Sequence, residues 1–230
     1  MVILTGDTHG AFDRIEEFCE EYDTTTEDIM IILGDAGINY WMDERDADLK
    51  ERLSCLPVTL FCIHGNHEER PEELHGYEER PWHGGMVWME SDYPNLLFAQ
   101  DGEVYDFGGK QALVIGGAYS VDKYYRLANG QRWFSTEQPD ERTKKTVERK
   151  LEHLGWQVDY VFSHTVPLGY IPHHALLPTI DQSTVDRSTE EWLDGIERKL
   201  VYEGWYAGHY HVTCDLGRVH ILYEDFEELE

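Results

Sequence analysis

Short apolar runs alternate with segments of helical periodicity in the first part of the chain. The runs at residues 2–5, 29–33 and 58–63 predict three strands. The segments 11–22 and 43–54 predict two helices, the first with its apolar residues towards one side. Strands that alternate with helices in this way are typical of an α/β fold.

The middle of the chain is more β-like. Its predicted strands cover residues 95–99, 103–107 and 111–117. The dipeptides Asp101-Gly102 and Gly108-Gly109 separate these runs and are typical of hairpin turns. Residues 118–138 are aromatic and irregular, and no element is predicted there.

Helices and strands alternate again towards the C-terminus. Pro139 suits the first turn of a helix that runs to about residue 154. Ser188 and Glu191 fit a capping box that opens a helix over 188–201. The remaining runs are a strand at 158–163, the segment 204–211, and a strand at 218–224 after a Leu216-Gly217 turn. The whole pattern predicts an α/β fold with two packed β-sheets flanked by helices.

Length and composition favour a single domain over residues 1–230. A hydrophobic content of 41% is typical of a globular chain, and no linker or repeat divides it. The four cysteines form no CxxC pair, which favours free thiols in a reducing compartment and predicts a cytoplasmic protein. No apolar run approaches the ~18 residues of a membrane span, and the start does not resemble a signal peptide.

The formal net charge of −27 bears on the partners of the protein. Such a charge repels nucleic acid and anionic membranes, so duplex nucleic acid and a membrane are not expected as partners. The charge does not predict the oligomeric state.

Side chains that can bind metal follow the five strongest apolar runs. They are Asp7 with His9, Asp35, Asn66 with His67, His164, and His209 with His211. The ends of parallel strands meet at one edge of a sheet, so we expect these side chains to converge. In the pairs Asp7/His9 and His209/His211 the members are two residues apart, and on extended backbone both would project to the same side.

The mixture of nitrogen and oxygen donors suits Mn, Fe or Zn better than Ca or Mg. The set is too large for one tetrahedral ion and suits two ions that share a bridging carboxylate. Glycine precedes several of these residues and permits a sharp turn and close backbone approach. Each motif alone is a weak signal, but the ordered set is specific.

The ordered set resembles the calcineurin-like metallophosphoesterase superfamily. The motifs are "GDTHG" at 6–10, "GDAG" at 34–37, "GNHE" at 65–68, "SH" at 163–164 and "GHYH" at 208–211. They span nearly the whole chain. The resemblance implies a four-layer αββα sandwich of two mixed sheets flanked by helices.

The resemblance also implies roles for single residues. One divalent ion would be held by Asp7, His9 and His211, and the other by Asn66, His164 and His209, with Asp35 as the bridge. His67 would stand outside the metal shell as the catalytic histidine and protonate the leaving group. Glu68 would support the ligands. Mn is the ion expected to restore activity in vitro, with Fe, Zn, Ni and Co as alternatives.

Two departures argue against a close protein Ser/Thr phosphatase, which carries GDxVDRG and RGNHE at the second and third motifs. Ile38 stands where the acidic partner of the catalytic histidine would be, and His64 replaces the arginine that grips phosphate. The residue that orients His67 is therefore left open.

Further residues are candidates for binding a small phosphoester substrate. They are Arg70, Tyr119, Lys123 and Arg126. The expected reaction is hydrolysis of a phosphomonoester or phosphodiester by a metal-activated water, and the motifs do not decide between the two esters. The alternatives are a protein Ser/Thr phosphatase-like enzyme, a nucleic-acid end-processing phosphodiesterase, and a non-catalytic scaffold that kept the fold.

Overall fold

The computed structural model describes residues 1–229. Its strands are β1 (Val2–Thr5), β2 (Ile29–Ile32), β3 (Thr59–Cys62), β4 (Tyr77–Trp82), β5 (Gly85–Glu90), β6 (Leu96–Ala99), β7 (Val104–Phe107), β8 (Lys110–Ile115), β9 (Tyr160–Ser163), β10 (Gly204–Ala207), β11 (Cys214–Leu216), β12 (Val219–Ile221) and β13 (Phe226–Glu228). Its α-helices are α1 (Asp13–Glu21), α2 (Glu44–Ser54), α3 (Lys123–Ala128), α4 (Glu141–His153) and α5 (Ser188–Glu197).

The strands form two mixed sheets. One has seven strands in the order β13-β1-β2-β3-β6-β5-β4, and the other has six in the order β11-β12-β10-β9-β8-β7 within the described residues. The central strands β1, β2, β3 and β6 are parallel, as are β8, β9, β10 and β12. The predicted fold class, α/β with two packed mixed sheets flanked by helices, is confirmed.

The two sheets pack face to face through one apolar core. Leu4, Ile31 and Phe61 of the seven-stranded sheet share a buried cluster with Val114 and Phe162 of the six-stranded sheet. Because the central strands are covered on both faces, their sequences are apolar almost without interruption rather than alternating. This is why the apolar runs were recognisable as strands.

The outer face of each sheet is covered by helices. Ile15 of α1 packs with Met30 and Ile32 on the outside of the seven-stranded sheet. On the outside of the six-stranded sheet, Val147 of α4 lies in one buried cluster with Trp205. The layers are therefore helix, sheet, sheet and helix, as the resemblance implied.

Several local predictions were wrong. Asp101-Gly102 does not close a hairpin, because β6 and β7 belong to different sheets and the turn carries the chain between them. The capping box is also absent, because Ser188 lies inside α5 after Arg187 as N-cap and donates its backbone N–H to Asp186. The Gly108-Gly109 turn is confirmed between the antiparallel strands β7 and β8.

Five elements were not predicted: the strands β4, β5, β11 and β13 and the helix α3. The hairpin of β4 and β5 has a polar, largely exposed edge strand, Tyr77–Trp82, without an apolar run. Helix α3 lies in the segment 118–138 that was expected to be irregular, and β13 pairs antiparallel with β1. No helix within residues 1–229 is both long and apolar enough to cross a membrane.

Candidate metal centre

The predicted donor residues meet at one end of the sandwich, but they come from both sheets. Asp7, Asp35 and Asn66 follow β1, β2 and β3 of the seven-stranded sheet, whereas His164 and His209 follow β9 and β10 of the six-stranded sheet. The expectation of a single sheet edge was therefore wrong. Convergence arises because the carboxyl ends of both parallel sets lie at the same end of the stacked sheets.

The backbone at these residues is not extended. His9, Asp35, His209 and His211 have φ angles of 48°, 50°, 71° and 49°. Left-handed backbone is uncommon for residues other than glycine and costs of order 1–3 kcal/mol at each position. The argument that Asp7/His9 and His209/His211 point to the same side because the chain is extended was wrong. Sharp turns after the strands bring them together instead.

Glycine at positions 34 and 65 allows the strand-end loops to approach each other. A Cβ atom on Gly34 would lie 2.0 Å from His164 Nδ1, and Gly34 has a φ of +95°. A Cβ atom on Gly65 would lie 2.0 Å from Asp35 Oδ1. The close approach of the loops, between the two sheets at Gly34 and within one sheet at Gly65, therefore depends on the missing side chains.

One group of potential ligands consists of Asp7, His9 and His211. Their ligand atoms lie within 4.8 Å of one another. His9 Nε2 lies 2.9 Å from His211 Nε2, and Asp7 Oδ2 lies 3.2 Å from His211 Nε2. Asp7 Oδ2 is buried and accepts no hydrogen bond within the described residues. A buried carboxylate oxygen without a donor beside two imidazole nitrogens fits a bound cation.

A second group contains Asp7, Asp35 and His164, all buried, with ligand atoms again within 4.8 Å of one another. His164 Nε2 lies 3.6 Å from Asp35 Oδ2 and 2.8 Å from Asn66 Oδ1. The ring centroid of His209 lies 5.0 Å from that of His164. The structure thus brings all seven predicted ligands together, and it places Asp7 as well as Asp35 between the two groups.

The orientation of His164 is set by the backbone of the other sheet. Its Nδ1 lies 2.8 Å from the carbonyl oxygen of Leu33, so Nδ1 carries the proton and donates it. This hydrogen bond directs Nε2 of His164 towards Asn66 Oδ1. In the neutral ring Nε2 is an acceptor, and Asn66 Oδ1 is an acceptor as well. Burial disfavours a charged ring, but the carboxylates of Asp35 and Asp7 outweigh it and raise the pKa of His164 to about 9. The surroundings of Nε2 therefore favour a positive charge.

The two aspartates are held by backbone donors. His67 N–H donates to Asp35 Oδ1 at 2.7 Å, and His209 N–H donates to Asp7 Oδ1 at 2.8 Å. Burial alone would raise the pKa of Asp35. The nearby His164, His67 and His9 together outweigh burial and hold this pKa well below its usual value. Asp35 is therefore a carboxylate at neutral pH, with Oδ2 directed towards the histidines.

Asn66 is oriented by Ser120, a residue that sequence reasoning missed. Asn66 Nδ2 donates to Ser120 Oγ at 3.0 Å, which leaves Oδ1 for the site. Ser120 is itself held because its backbone N–H donates to Glu137 Oε2, which also accepts from Trp133 Nε1. Ser120 and Asn66 are 54 positions apart, and no local pattern marks the contact.

His67 lies beside the donor groups, with its ring centroid 5.6 Å from that of His9. Burial lowers the pKa of His67, and Arg126 adds to this effect, whereas Asp35 and Asp122 oppose it. Asp122 lines the same cavity as His67, and its Oδ1 is buried without a hydrogen-bond partner among the described residues.

Glu68 connects the loops after β2 and β3. Its Oε1 accepts from Gly65 N–H at 2.8 Å and its Oε2 from Gly37 N–H at 2.9 Å. Burial and the nearby Asp35 carboxylate raise the pKa of Glu68 to about 7. Glu68 therefore supports the loops that carry Asp35 and Asn66.

The donors form the floor of a cavity of ≈ 1090 Å³. Asp35, Asn66, His67 and His209 are on this floor, and Asp7 and His164 lie buried behind it. Above the floor, the cavity has an apolar wall, which we define as Trp41, Leu49, Val121, Leu176, Leu177 and Ile180.

The four residues expected to bind substrate are not together. Arg70 is buried away from the cavity lining, where Nη1 bonds to Asp101 Oδ2 at 2.7 Å. Tyr119 is also buried. Lys123 places its Nζ 3.9 Å from the centroid of the Trp133 ring. These contacts give Arg70 and Lys123 structural partners, and neither residue is part of the cavity lining.

Arg126 is the member of that set that lines the cavity. Its Nε donates to Asp122 Oδ2 at 2.7 Å, and its Nη1 donates to Tyr40 Oη at 3.1 Å. The two departures from the family pattern are also buried. Ile38 lies in the apolar core beneath α1, and His64 is enclosed with its pKa well below the usual value because of burial.

The comparisons with known proteins agree with this geometry. The model of a family described as calcineurin-like phosphoesterase matches residues 1–213. The crystal structure of TT1561 of Thermus thermophilus is 12% identical, with a TM-score of 0.53 over 96% of this chain and 87% of that chain. A second solved structure is 13% identical, with a TM-score of 0.51 over 96% of this chain and 88% of that chain. At these identities the likeness concerns the fold alone. No curated protein is a significant match to the sequence.

Proposed function

The chain belongs to the calcineurin-like phosphoesterase family, whose members generally hydrolyse phosphoester bonds, and we propose that it is a hydrolase with two divalent metal ions that cleaves a phosphomonoester or phosphodiester. One observation carries the proposal: ligand atoms of His9, His211 and His164 lie within 4.8 Å of a ligand oxygen of the buried Asp7, whose Oδ2 accepts no hydrogen bond among the described residues. His9 Nε2 and His211 Nε2 are 2.9 Å apart, and His164 Nε2 and Asn66 Oδ1 are 2.8 Å apart. When the ring nitrogens carry no proton, both atoms of each pair can bind a cation.

The residues divide between two ions. Asp7, His9 and His211 would hold one, and Asn66, His164 and His209 the other, with Asp35 shared. The position of Asp7 between both donor groups supports a second bridging carboxylate. When bound, the ions would neutralise phosphate oxygens and supply a reactive water at neutral pH. Mn is the ion we propose for activity in vitro.

The side chains of the protein would complete the reaction. In hydrolysis the water oxygen forms a bond to phosphorus, the bond from phosphorus to the ester oxygen breaks, and that oxygen takes up a proton. His67 is the candidate donor, because it lies on the cavity floor beside the donor groups. General acid help of this kind is worth about 10²–10⁴-fold in rate. Burial lowers the pKa of His67 overall, and the nearby carboxylates of Asp35 and Asp122 oppose this shift in favour of the protonated ring that the role requires.

The proposal is tested by removing metal with a chelator, restoring Mn²⁺, and comparing hydrolysis of p-nitrophenyl phosphate with that of bis-p-nitrophenyl phosphate. We expect at least one ester to be cleaved only after metal is restored, and Asp35→Asn to be inactive. The preferred ester decides between monoesterase and diesterase. No turnover of either ester with Mn²⁺, Fe²⁺, Co²⁺, Ni²⁺ or Zn²⁺ would refute the proposal and favour a non-catalytic scaffold.

A further inference from the structure

The cavity above the metal centre is far larger than a phosphate group requires. Its volume of ≈ 1090 Å³ is at the upper end of the roughly 300–1,000 Å³ that is typical of pockets for whole organic ligands. The polar side chains that would bind the phosphate lie on the floor of the cavity. The remaining volume lies against the apolar wall.

The apolar wall is built by three separate segments of the chain. Trp41 and Leu49 come from the loop before α2 and from α2 itself, and Val121 precedes α3. Leu176, Leu177 and Ile180 come from the segment between β9 and α5. Leu177 is 57% exposed and Trp41 39% exposed. Large apolar side chains gathered around a cavity and left open to solvent mark a surface that binds an apolar group.

The charged side chains near this wall already have partners. Arg45 lies over the Trp41 ring at 3.6 Å and bonds to Asp43. Arg126 bonds to Asp122 and Tyr40. Apart from His174 and Gln182, few polar side chains of the lining near this wall are left to recognise a sugar, a base or a second anionic group.

Resting on the function proposed above, we infer that the substrate is a phosphate ester of a long-chain aliphatic alcohol, with the phosphate on the metal floor and the hydrocarbon chain against the apolar wall. The wall is mainly aliphatic, because four of its six members are Leu or Ile and one is Val. A saturated chain fills such a surface without needing hydrogen-bond partners. The small phosphoester expected from the sequence is thereby narrowed to an amphiphilic one.

The inference is tested with two series of esters on the Mn²⁺-loaded protein. One series is ethyl, butyl, hexyl and octyl phosphate, followed by release of inorganic phosphate. The other is the matching alkyl p-nitrophenyl phosphates, followed by release of nitrophenol. Burial of one methylene favours the bound state by roughly three- to fourfold. We therefore expect kcat/KM to rise by about that factor per methylene until the wall is covered.

A pair of leucine variants locates the effect. Leu177→Gln should lower the ratio of kcat/KM for octyl over ethyl ester, because Leu177 lines the cavity. Leu127→Gln is the matched control, since Leu127 is 51% exposed on α3 and is not part of the cavity lining. The control should keep the wild-type ratio.

Binding gives a second readout that does not depend on turnover. Calorimetric titration with octylphosphonate, which has no ester bond to hydrolyse, should show tighter binding than with butylphosphonate and a negative heat-capacity change, the mark of apolar burial. Hydrolysis of all esters at equal efficiency would overturn the inference and leave the phosphoesterase function intact. Length-dependent binding without hydrolysis would support the inference while the proposed function fails. A higher kcat/KM for adenosine monophosphate than for octyl phosphate would overturn the inference in favour of a nucleotide.

Discussion

The floor of the cavity is polar and its carboxylates are buried, whereas the apolar wall includes large side chains that are open to solvent. On the floor, Asp35 and Asn66 are almost fully buried and are held by defined hydrogen bonds. On the wall, Leu177 and Trp41 lie in irregular segments, and their apolar surfaces require no hydrogen-bond partners. The two regions meet in one cavity, but hydrogen bonds fix the side chains of the floor and no such bonds are needed on the wall.

This difference predicts how each region responds to substitution. A buried charge or a strained turn cannot change without loss of its partners, so the floor should be intolerant. An exposed apolar side chain contributes little to folding, so the wall can change with selectivity and without loss of the fold. We therefore expect the proposed chemistry and the proposed substrate specificity to be separable by substitution.

The largest effect is expected from Asp35→Asn. The substitution removes the negative charge between His9 and His164 while keeping the size of the side chain. We expect metal-dependent hydrolysis to fall by about 10³-fold or more, because metal ions supply the main electrostatic stabilisation in such sites. Asp48→Asn, an exposed position on α2, is the matched control and should retain activity. Equal activity of both variants would contradict the assignment of the floor.

The second prediction compares two glycine substitutions. It separates the cost of a left-handed backbone from the cost of a steric clash between the new Cβ atom and a neighbouring side chain. Gly34→Ala should destabilise the protein by about 3 kcal/mol or more, because it combines a left-handed φ with a Cβ atom 2.0 Å from His164 Nδ1. Gly155→Ala has a φ of +65° but no neighbour within 4 Å, so only the strain of about 1 kcal/mol remains. Chemical denaturation measures both variants. Equal losses would show that the approach of the two sheets is not tight.

The third effect depends on pH and concerns Glu68. Its pKa in the folded protein is about 7, above the ordinary 4.5, so the folded state binds the proton more tightly than the unfolded state. The stability from this group is present below pH 4.5 and is lost as pH rises through 7, by roughly 3 kcal/mol in all.

Measurement of thermal unfolding from pH 4 to 8 in chelator tests this expectation. The melting temperature of the wild-type protein should fall by several degrees relative to that of Glu68→Gln, which cannot titrate. Parallel pH profiles for the two proteins would exclude a raised pKa at Glu68.

A smaller effect is expected from Ser120→Ala, which leaves Asn66 Nδ2 without its acceptor. Groups that orient a ligand typically contribute about 10–100-fold to metal affinity. The affinity of the chelator-treated protein for Mn²⁺, measured by calorimetry, should fall by this amount. Ser135→Ala, at an exposed position in the same stretch of the chain, should leave it unchanged. An unaltered affinity in Ser120→Ala would mean that Asn66 needs no such support.

The smallest effect is expected from Leu177→Gln on stability. The side chain is exposed, so the free energy of unfolding should change by no more than about 0.5 kcal/mol. Urea denaturation provides the measurement. A loss near that of Gly34→Ala would show that the apolar wall supports the fold and would remove the distinction between wall and floor.

The floor was predictable from the sequence because its signals are local. The central strands are apolar on both faces, and five of them, β1, β2, β3, β9 and β10, are followed closely by a donor such as Asp35 or His164. The sequence could not reveal that β1 and β9 lie in different sheets, since strand pairing is a tertiary property. For the same reason the extended backbone assumed at His9 and His211 was wrong.

The wall was not predictable because it has no periodicity. Leu176, Leu177 and Ile180 lie in a segment of turns, and only packing against the rest of the fold brings them to the same cavity as Trp41. The contact between Ser120 and Asn66 spans 54 positions and depends equally on packing. The edge strand β4 escaped notice because Tyr77–Trp82 is largely polar and exposed.

The bond from His164 Nδ1 to the carbonyl of Leu33 joins the two sheets at the centre of the site. Ions bound there would be held by side chains from both sheets at once. Unfolding separates the two sheets and would therefore release the ions. A ligand that binds only the folded state stabilises it by mass action. The supply of metal would therefore set the resistance of the protein to proteolysis as well as its catalytic activity. In a cell short of metal, proteases would degrade the metal-free chains first.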